Sequence, residues 1–144
     1  MTKNGILCEV NEKRVYLDPK KTDLDGINFV PHAHSDHLPS KNGGSILSSI
    51  ETNEISGIRG FKMKNHVESL DGFSLIDSGH VLGSRGLLFN DIFYTGDICT
   101  RDRGFLKAAK IPSCKTLITE CTFGLPEFIF PKMDEIQNQV NQLI

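Results

Sequence analysis

Residues 32 to 37 read His-Ala-His-Ser-Asp-His, and four of these six side chains can bind a metal ion: His32, His34, Asp36 and His37. Imidazole nitrogens and carboxylate oxygens suit zinc, manganese and iron, with Zn–N distances of about 2.0–2.1 Å. A strand ending near residues 28 to 31 would deliver this run to a loop. There, alternate imidazoles can converge on one cation while the last two donors turn towards a second. The alternative is a solvated histidine-rich loop, which this density of donors disfavours.

Two further donors follow apolar stretches downstream. The predicted strand at residues 73 to 76 is followed closely by His80. Two more predicted strands are joined by Asn90-Asp91, a dipeptide that suits a two-residue hairpin turn, and the second of them leads into Asp97. Taken singly, each donor would be an ordinary strand-end histidine or turn aspartate. Together with the histidine cluster, they favour a metal site.

Other elements are read from apolar patterning. Strands are expected at residues 5 to 10 and 13 to 17, with a turn around Asn11 and Glu12, and at residues 45 to 49 and 115 to 120. A short helix is expected to begin at Thr52 and to end within residues 57 to 60. The only histidine outside the motifs, His66, lies among lysines and is expected to be exposed and unrelated to the site.

The order of the motifs resembles the metallo-β-lactamase superfamily. The resemblance is carried by residues 32–37, by Gly-His-Val-Leu-Gly-Ser at 79–84, by Tyr-Thr-Gly-Asp at 94–97 and by Thr-Glu-Cys-Thr-Phe-Gly-Leu-Pro at 119–126. The segments around His80 and Glu120 are most similar to the nuclease branch, which contains β-CASP RNA-processing enzymes and DNA-ligase-associated or archaeal exonucleases. The resemblance covers residues 5 to about 131. It implies an α/β fold: the N-terminal half of an αββα sandwich, with a mixed, mostly antiparallel sheet and flanking helices, in one domain over residues 1–144.

The resemblance also implies two divalent metal ions, with zinc as the expected metal and manganese as the alternative. One ion would be bound by His32, His34 and His80, the other by Asp36 and His37, and Asp97 would bridge them. The catalytic acidic residues would be Asp36, Asp97 and Glu120.

Two acidic residues that match positions of the family, Asp18 and Glu120, also have an alternative interpretation. Asp18 matches a residue that orients the ligand loop without binding metal, but its local sequence fits an Asp-Pro turn equally well. Glu120 matches an acidic position that supports a later histidine near the scissile phosphate. On sequence alone, Glu120 could equally be a strand-end glutamate that faces solvent.

The chain departs from the family pattern in one respect. Family members take another metal-binding histidine, and one that assists the leaving group, from the C-terminal half of the fold, whereas no histidine follows His80 here. An apolar helical spacing of Met133, Ile136, Val140 and Ile144 reaches the last residue. We therefore expect an N-terminal part, whose exposed sheet edge or apolar helix face would contact the missing half, a partner chain or a second copy.

Charge and cysteine content say less about function than the motifs do. The formal net charge is −2, so no global positive field indicates nucleic acid. Four basic residues after Asp97 could contact a substrate backbone, although a solvated helix face is the more ordinary interpretation: Arg101, Arg103, Lys107 and Lys110.

The four cysteines show no Cys-x-x-Cys spacing and are expected to be reduced. With no signal peptide and no long apolar segment, this indicates a cytoplasmic protein that does not insert into membranes.

Three functions remain open at this stage. The first is a metal-dependent phosphodiesterase or exonuclease that acts on RNA or single-stranded DNA through a water activated by two metal ions. The second is hydrolysis of a small ester or thioester on the same scaffold, since a scaffold does not dictate its substrate. The third is a non-catalytic metal-binding half-domain that needs a partner, which the missing histidines favour.

Overall fold

The computed structural model describes residues 4–10 and 12–143, which form two mixed β-sheets and two short helices. The elements in chain order are β1 (Ile6–Val10), β2 (Lys13–Leu17), β3 (Ile27–Phe29), β4 (Ile46–Leu47), α1 (Ile50–Ile58), β5 (His66–Val67), β6 (Phe73–Asp77), β7 (Arg85–Phe89), β8 (Ile92–Tyr94), β9 (Thr116–Ile118) and α2 (Met133–Asn141). The predicted α/β class is confirmed. Asn11 of the predicted first turn and Ile144 of the terminal apolar spacing lie outside the described residues.

The first sheet has the order β1-β2-β3-β4-β5, with an antiparallel first pair and parallel pairs thereafter. The second has the order β6-β7-β8-β9, in which only the last pair is parallel. The predicted hairpin is confirmed: Asn90 and Asp91 join β7 to β8 with φ angles of 44° and 60°. Two successive positive φ angles match the right-handed twist of the flanking strands, which makes this turn favourable.

The main core lies between the two sheets. Val15, Leu17 and Phe29 of the first sheet form one buried cluster with Leu87 and Tyr94 of the second, among others. A smaller cluster includes Val30 and Ile46, packed with Met63. Because successive side chains of a strand point to opposite faces, Ile46 and its neighbour Leu47 supply different clusters. The main cluster contains Phe29 of β3 and the smaller one contains Val30 directly after it, so the strand that leads into the histidine run is packed on both sides.

Helix α1 begins earlier than its sequence indicated. Ser49 is the N-cap, because its Oγ accepts a hydrogen bond from the backbone N–H of Thr52 at 3.1 Å. The predicted start at Thr52 is therefore wrong: a serine cap stabilises the first turn three residues upstream. The predicted end is confirmed, since the helix stops at Ile58 before Gly60, whose φ is +88°. Strand β5 was not expected, because two residues are too few to show a pattern.

The polar ends of five strands lie on one side of the fold. Strands β2 and β3 run parallel, and their carboxyl ends lead to Asp18 and to residues 32–37. In the second sheet β6, β8 and β9 share one direction, and they lead to His80, Asp97 and Glu120. Side chains that are far apart in the chain are therefore delivered to one edge, as the sequence predicted.

The C-terminal segment keeps an apolar surface in solvent. Helix α2 buries none of its described residues, and Met133 and Val140 are 58% and 43% exposed. The prediction of an exposed apolar helix face is confirmed for this part of the chain. Neither α1 nor α2, the helices within the described residues, is long or apolar enough to cross a bilayer.

Candidate metal centre

Four predicted metal ligands converge at the polar edge. His32, His34, His80 and Asp97 each place one ligand atom within 4.8 Å of the others. His34 Nδ1 lies 2.9 Å from His32 Nε2 and 3.4 Å from His80 Nε2. Asp97 Oδ2 lies 3.8 Å from His32 Nε2 and 3.4 Å from His80 Nε2. Ligands about 2.0–2.1 Å from a tetrahedral zinc ion would be about 3.4 Å apart, so these spacings fit one cation.

The protonation of the imidazoles also fits a cation. His32 is fully buried, and burial together with the neighbouring imidazoles lowers its pKa to about 3. Burial likewise lowers the pKa of His80, with His34 and Arg103 adding to the effect against the opposing charge of Asp97. Both rings are neutral at pH 7 and keep a lone pair. Since a neutral imidazole has only one N–H to share, three facing nitrogens are satisfied better by a metal ion than by one another. The cluster could therefore hold a metal.

His37 and Asp36 lie next to these four residues, and the His37 ring centroid is 4.3 Å from that of His32. His37 Nε2 is 3.6 Å from Asp97 Oδ1 and 3.5 Å from Asp36 Oδ2. The Asp36 side chain is 76% exposed, so it stands at the rim of the cluster. Hydrogen bonding to its own backbone and the nearby His37 and His32 lower the pKa of Asp36, although burial alone would raise it. All six predicted metal ligands are thus adjacent in space.

Asp18 lies in the bend after β2 and contacts His37. Its Oδ2 is 2.6 Å from His37 Nδ1, and the Tyr94 hydroxyl lies 3.5 Å from the same oxygen. Asp18 adopts a positive φ of 57°, a conformation unusual for a residue other than glycine. Burial alone would lower the pKa of His37, but the hydrogen bond and charge of Asp18 outweigh it and raise that pKa. The carboxylate thus contacts one of the predicted ligands, His37, and is not itself part of the cluster formed by His32, His34, His80 and Asp97.

Glu120 also faces the site. Its Oε1 accepts a hydrogen bond from the backbone N–H of Ile98 at 2.8 Å, and its Oε2 accepts one from the Thr122 hydroxyl at 2.5 Å. Burial would raise the pKa of Glu120, but these hydrogen bonds and the nearby His80 lower it. The carboxylate is therefore ionised at neutral pH. The alternative of a glutamate that points freely into solvent is wrong.

A cavity of about 620 Å³ opens beside the metal ligands, and we call it the site cavity. Its lining includes His80, Asp97, Glu120, Arg101, Arg103 and Phe123. Two arginines thus stand beside three acidic or metal-binding residues. A cavity of this size can admit a group as large as a nucleotide.

The basic residues after Asp97 do not form a helix face. Residues 98–110 are irregular, with a tight turn in which Arg103 and Leu106 exchange backbone hydrogen bonds of 2.9 Å. Gly104 within this turn has a φ of +57°, which a helix does not accommodate. Lys107 pairs with Asp102 at 3.1 Å and does not line the site cavity. Sequence reasoning missed that Arg103 contacts the backbone around His80, because a side chain bound to backbone carbonyls leaves no residue pattern.

The prediction for His66 is corrected in part. His66 is half-buried in β5, and its Nε2 lies 3.0 Å from the backbone oxygen of Ser48, so it is not exposed. It is absent from the metal cluster, as expected. Cys99 is half-buried and lines the site cavity. The four cysteines are free thiols.

Comparison with curated proteins gives a distant similarity. No family model matches the chain. A protein from Opitutus terrae named "Probable DNA ligase" is 27% identical over 126 residues, which cover 78% of this chain and 12% of that protein. The chain therefore spans about an eighth of the length of this relative.

Proposed function

We propose that this chain carries the metal centre of a hydrolase of the metallo-β-lactamase superfamily that cleaves phosphodiester bonds in RNA or single-stranded DNA, starting from an end. The observation that carries the proposal is the convergence of His32, His34, His80 and Asp97 beside a cavity that two arginines line. A cation site next to guanidinium groups suits an anionic substrate, because both attract phosphate oxygens.

The proposed centre binds two divalent ions, zinc or manganese. Asp97 would bridge them, since its Oδ2 faces His32 and His80 while its Oδ1 faces His37. Asp36, 3.5 Å from His37 Nε2, would complete the second position. Two such ions lower the pKa of a water towards about 7 and offset charge on phosphate oxygens.

The chain's own residues would orient the attacking water and bind the phosphate groups of the substrate. Asp97 is placed to accept a hydrogen bond from an attacking water. Glu120 is held by Ile98 N–H and Thr122, so its charge is fixed at the cavity wall. Arg101 and Arg103 line the same cavity and can donate to non-bridging phosphate oxygens.

The name of the relative agrees with a nucleic-acid substrate. A probable DNA ligase acts on DNA by its name, and the matched segment is a small part of it. We infer that this domain acts on nucleic acid as part of a larger enzyme, whose other domains belong to the same chain or to a partner.

A second candidate is a metal-binding unit that is not itself catalytic. It is favoured by the donors present among the described residues, where His37 and the exposed Asp36 are the donors beside Asp97 at the second position. The superfamily mechanism uses further histidines near the second ion and the leaving group. A unit without them would bind metal and associate with a partner without turnover.

The deciding experiment uses 5′-end-labelled RNA and single-stranded DNA, with the purified chain in manganese, in zinc and in EDTA. Metal-dependent shortening that Asp97→Asn abolishes and His66→Gln retains would support the nuclease. A parallel panel of thioesters tests the small-substrate alternative. Bound metal with no cleavage of any of these substrates would overturn the catalytic proposal in favour of the binding unit.

A further inference from the structure

We propose that Arg103 is a positioning residue for the metal centre: its guanidinium holds the backbone of Gly79 and His80, so that the His80 imidazole faces Asp97. This inference rests on the metal centre of the proposed function and assigns a residue that builds it. Three features carry it: the path of the loop that contains Arg103, its packing on Gly79, and the carbonyls that the guanidinium contacts.

The segment that follows Asp97, which we call the 98–110 loop, lies along the backbone that precedes His80. Cys99 N–H donates to the Ser78 carbonyl at 2.8 Å, and Ala109 N–H donates to the Cys99 carbonyl at 2.8 Å. The loop therefore leaves the site at Asp97, passes Ser78 and returns beside it. One ligand, Asp97, is in this way joined through backbone hydrogen bonds to the strand end that carries another, His80.

The 98–110 loop comes closest to the backbone before His80 at Gly79. Its φ is +70°, and a Cβ there would lie 2.6 Å from the Cys99 carbonyl oxygen, 2.7 Å from the Lys107 carbonyl oxygen and 2.9 Å from Ala109 N. Side chains do not fit at such distances, so the 98–110 loop packs directly on the Gly79 backbone. The loop cannot shift without moving the residue next to His80.

Arg103 reaches this backbone from the tip of the loop. The reciprocal backbone hydrogen bonds between Arg103 and Leu106, each 2.9 Å, close a turn that fixes the direction of the arginine. Its Nη2 donates to the Gly79 carbonyl at 3.3 Å and to the His80 carbonyl. A planar guanidinium with fixed donor directions can bind two successive carbonyls, which a flexible ammonium does less well. The backbone on both sides of the Gly79–His80 peptide bond is thereby held by Arg103.

His80 needs such support because little else confines it. Its side chain is 23% exposed and lines the site cavity, and its ring contacts are to the other candidate ligands, His32 and His34. The backbone contact from Arg103 would thus preset the His80 ring before metal binds and lower the ordering cost of binding.

The test compares Arg103→Met and Arg103→Lys with Arg101→Met in the full chain. Arg101 lines the same cavity, but within the described residues its side chain makes no hydrogen bond to the Gly79 or His80 carbonyls, so it controls for lost charge. Zinc affinity is measured by competition with a chromophoric chelator. The visible spectrum of bound Co²⁺ reports ligand geometry, and the melting temperature without metal reports folding.

We expect Arg103→Met to weaken zinc binding on the order of 10-fold and to alter the Co²⁺ spectrum, within the 10–100-fold range for residues that orient ligands. Arg103→Lys should recover part of both, and Arg101→Met should change neither. If Arg103→Met does not fold without metal, the lysine variant decides on the same readouts. Wild-type affinity and spectrum in the deciding variant, or an equal loss in Arg101→Met, would overturn the proposal. Absence of nucleic-acid cleavage by all forms, with zinc affinity still lost in Arg103→Met, would reject the nuclease function and leave this role standing.

Discussion

Asp18 Oδ2 lies 2.6 Å from His37 Nδ1, and this contact determines which nitrogen of His37 is free for the site. With Nδ1 turned to the carboxylate, Nε2 faces Asp97 Oδ1 at 3.6 Å. The turn at the end of β2 thus fixes a ring that belongs to a loop after β3. A carboxylate that accepts from the distal N–H of a metal-binding histidine sets its tautomer and increases its basicity.

For the proposed two-ion centre, Asp18→Asn should therefore weaken binding of the ion held by His37 by about 10–100-fold and leave the other in place. The amide keeps the shape but removes the charge that raises the pKa of His37. Metal content after stepwise chelation measures the effect. Asp25→Asn is the control, since the Asp25 carboxylate is exposed and lies 3.7 Å from Arg14, away from the metal ligands. Equal retention of both ions by the two variants would contradict the role given to Asp18.

His34→Ala should abolish tight metal binding at the main cluster. His34 Nδ1 is the nitrogen that lies within 3.4 Å of both His32 Nε2 and His80 Nε2, so its removal opens one side of the cluster. We expect a loss of zinc affinity of at least about 100-fold, the upper end of what orienting residues alone contribute. Calorimetric titration of zinc checks it, with His66→Gln as the control. An unchanged isotherm for His34→Ala would show that the metal binds elsewhere.

The metal-free chain should lose stability as pH falls below about 7. The pKa of His32 is about 3 in the folded chain and 6.5 as a free side chain, so between these values the unfolded state binds the extra proton. Stability then falls by up to about 1.4 kcal/mol per pH unit from this group. His37 acts in the opposite direction: its pKa is raised on folding, so its contribution grows as pH falls through that raised pKa and is complete below 6.5.

Urea unfolding in EDTA at several pH values between about 7 and about 4 isolates the His32 contribution when the chain is compared with His32→Asn, in which His37 remains. The variant should show a shallower decline of unfolding free energy with falling pH. Parallel curves for the two proteins would mean that the His32 ring is protonated as easily in the folded chain as in the unfolded one.

The sequence predicted more of this site than of its surroundings. His32, His34, His80 and Asp97 were recognisable because their types are rare and each follows a strand, and parallel strand ends meet at one edge. The contacts that orient them were not recognisable. Arg103 binds carbonyl oxygens, and Ser49 binds the Gly83 carbonyl 34 residues away, so neither contact leaves a local pattern. The 98–110 loop was misread because charged residues at short spacing look helical until a turn such as that at Gly104 interrupts them.

Gly83 shows how closely the His80 loop packs on α1. Its carbonyl accepts hydrogen bonds from the hydroxyls of Ser49 at 2.6 Å and Thr52 at 3.1 Å. A Cβ there would lie 2.6 Å from Glu51 Cβ and 3.0 Å from Thr52 N. Gly83→Ala should therefore destabilise the chain through both its positive φ, about 1 kcal/mol, and overpacking, about 1–3 kcal/mol more.

Gly72→Ala is the matched control for Gly83→Ala. Gly72 has a nearly equal φ of +83° against +79°, but a Cβ added to it would meet nothing within 4 Å. The difference in urea unfolding free energy between the two variants measures the packing contribution alone. Equal losses would mean that the His80 loop can move away from α1 without cost.

Phe123 provides a test of the nucleic-acid proposal that does not depend on cleavage. Its ring is 64% exposed, lines the site cavity with Arg101, and makes edge contacts with Phe128 and Phe130 at centroid distances of 5.6 and 5.1 Å. A supported aromatic face beside a guanidinium group can stack on an unpaired base, which is worth about 1–3 kcal/mol. Phe123→Ala should therefore weaken binding of a fluorescent single-stranded oligonucleotide, in EDTA, by about 5-fold or more.

Leu125→Ala is the control for Phe123→Ala, because it removes a similarly exposed apolar side chain outside the cavity lining. It should leave oligonucleotide binding unchanged. Equal affinities for wild type and Phe123→Ala would mean that bases do not stack at this position. Equal losses in the two variants would instead indicate nonspecific contact with the apolar C-terminal surface, since a stacking site depends on the aromatic ring and not on apolar area alone.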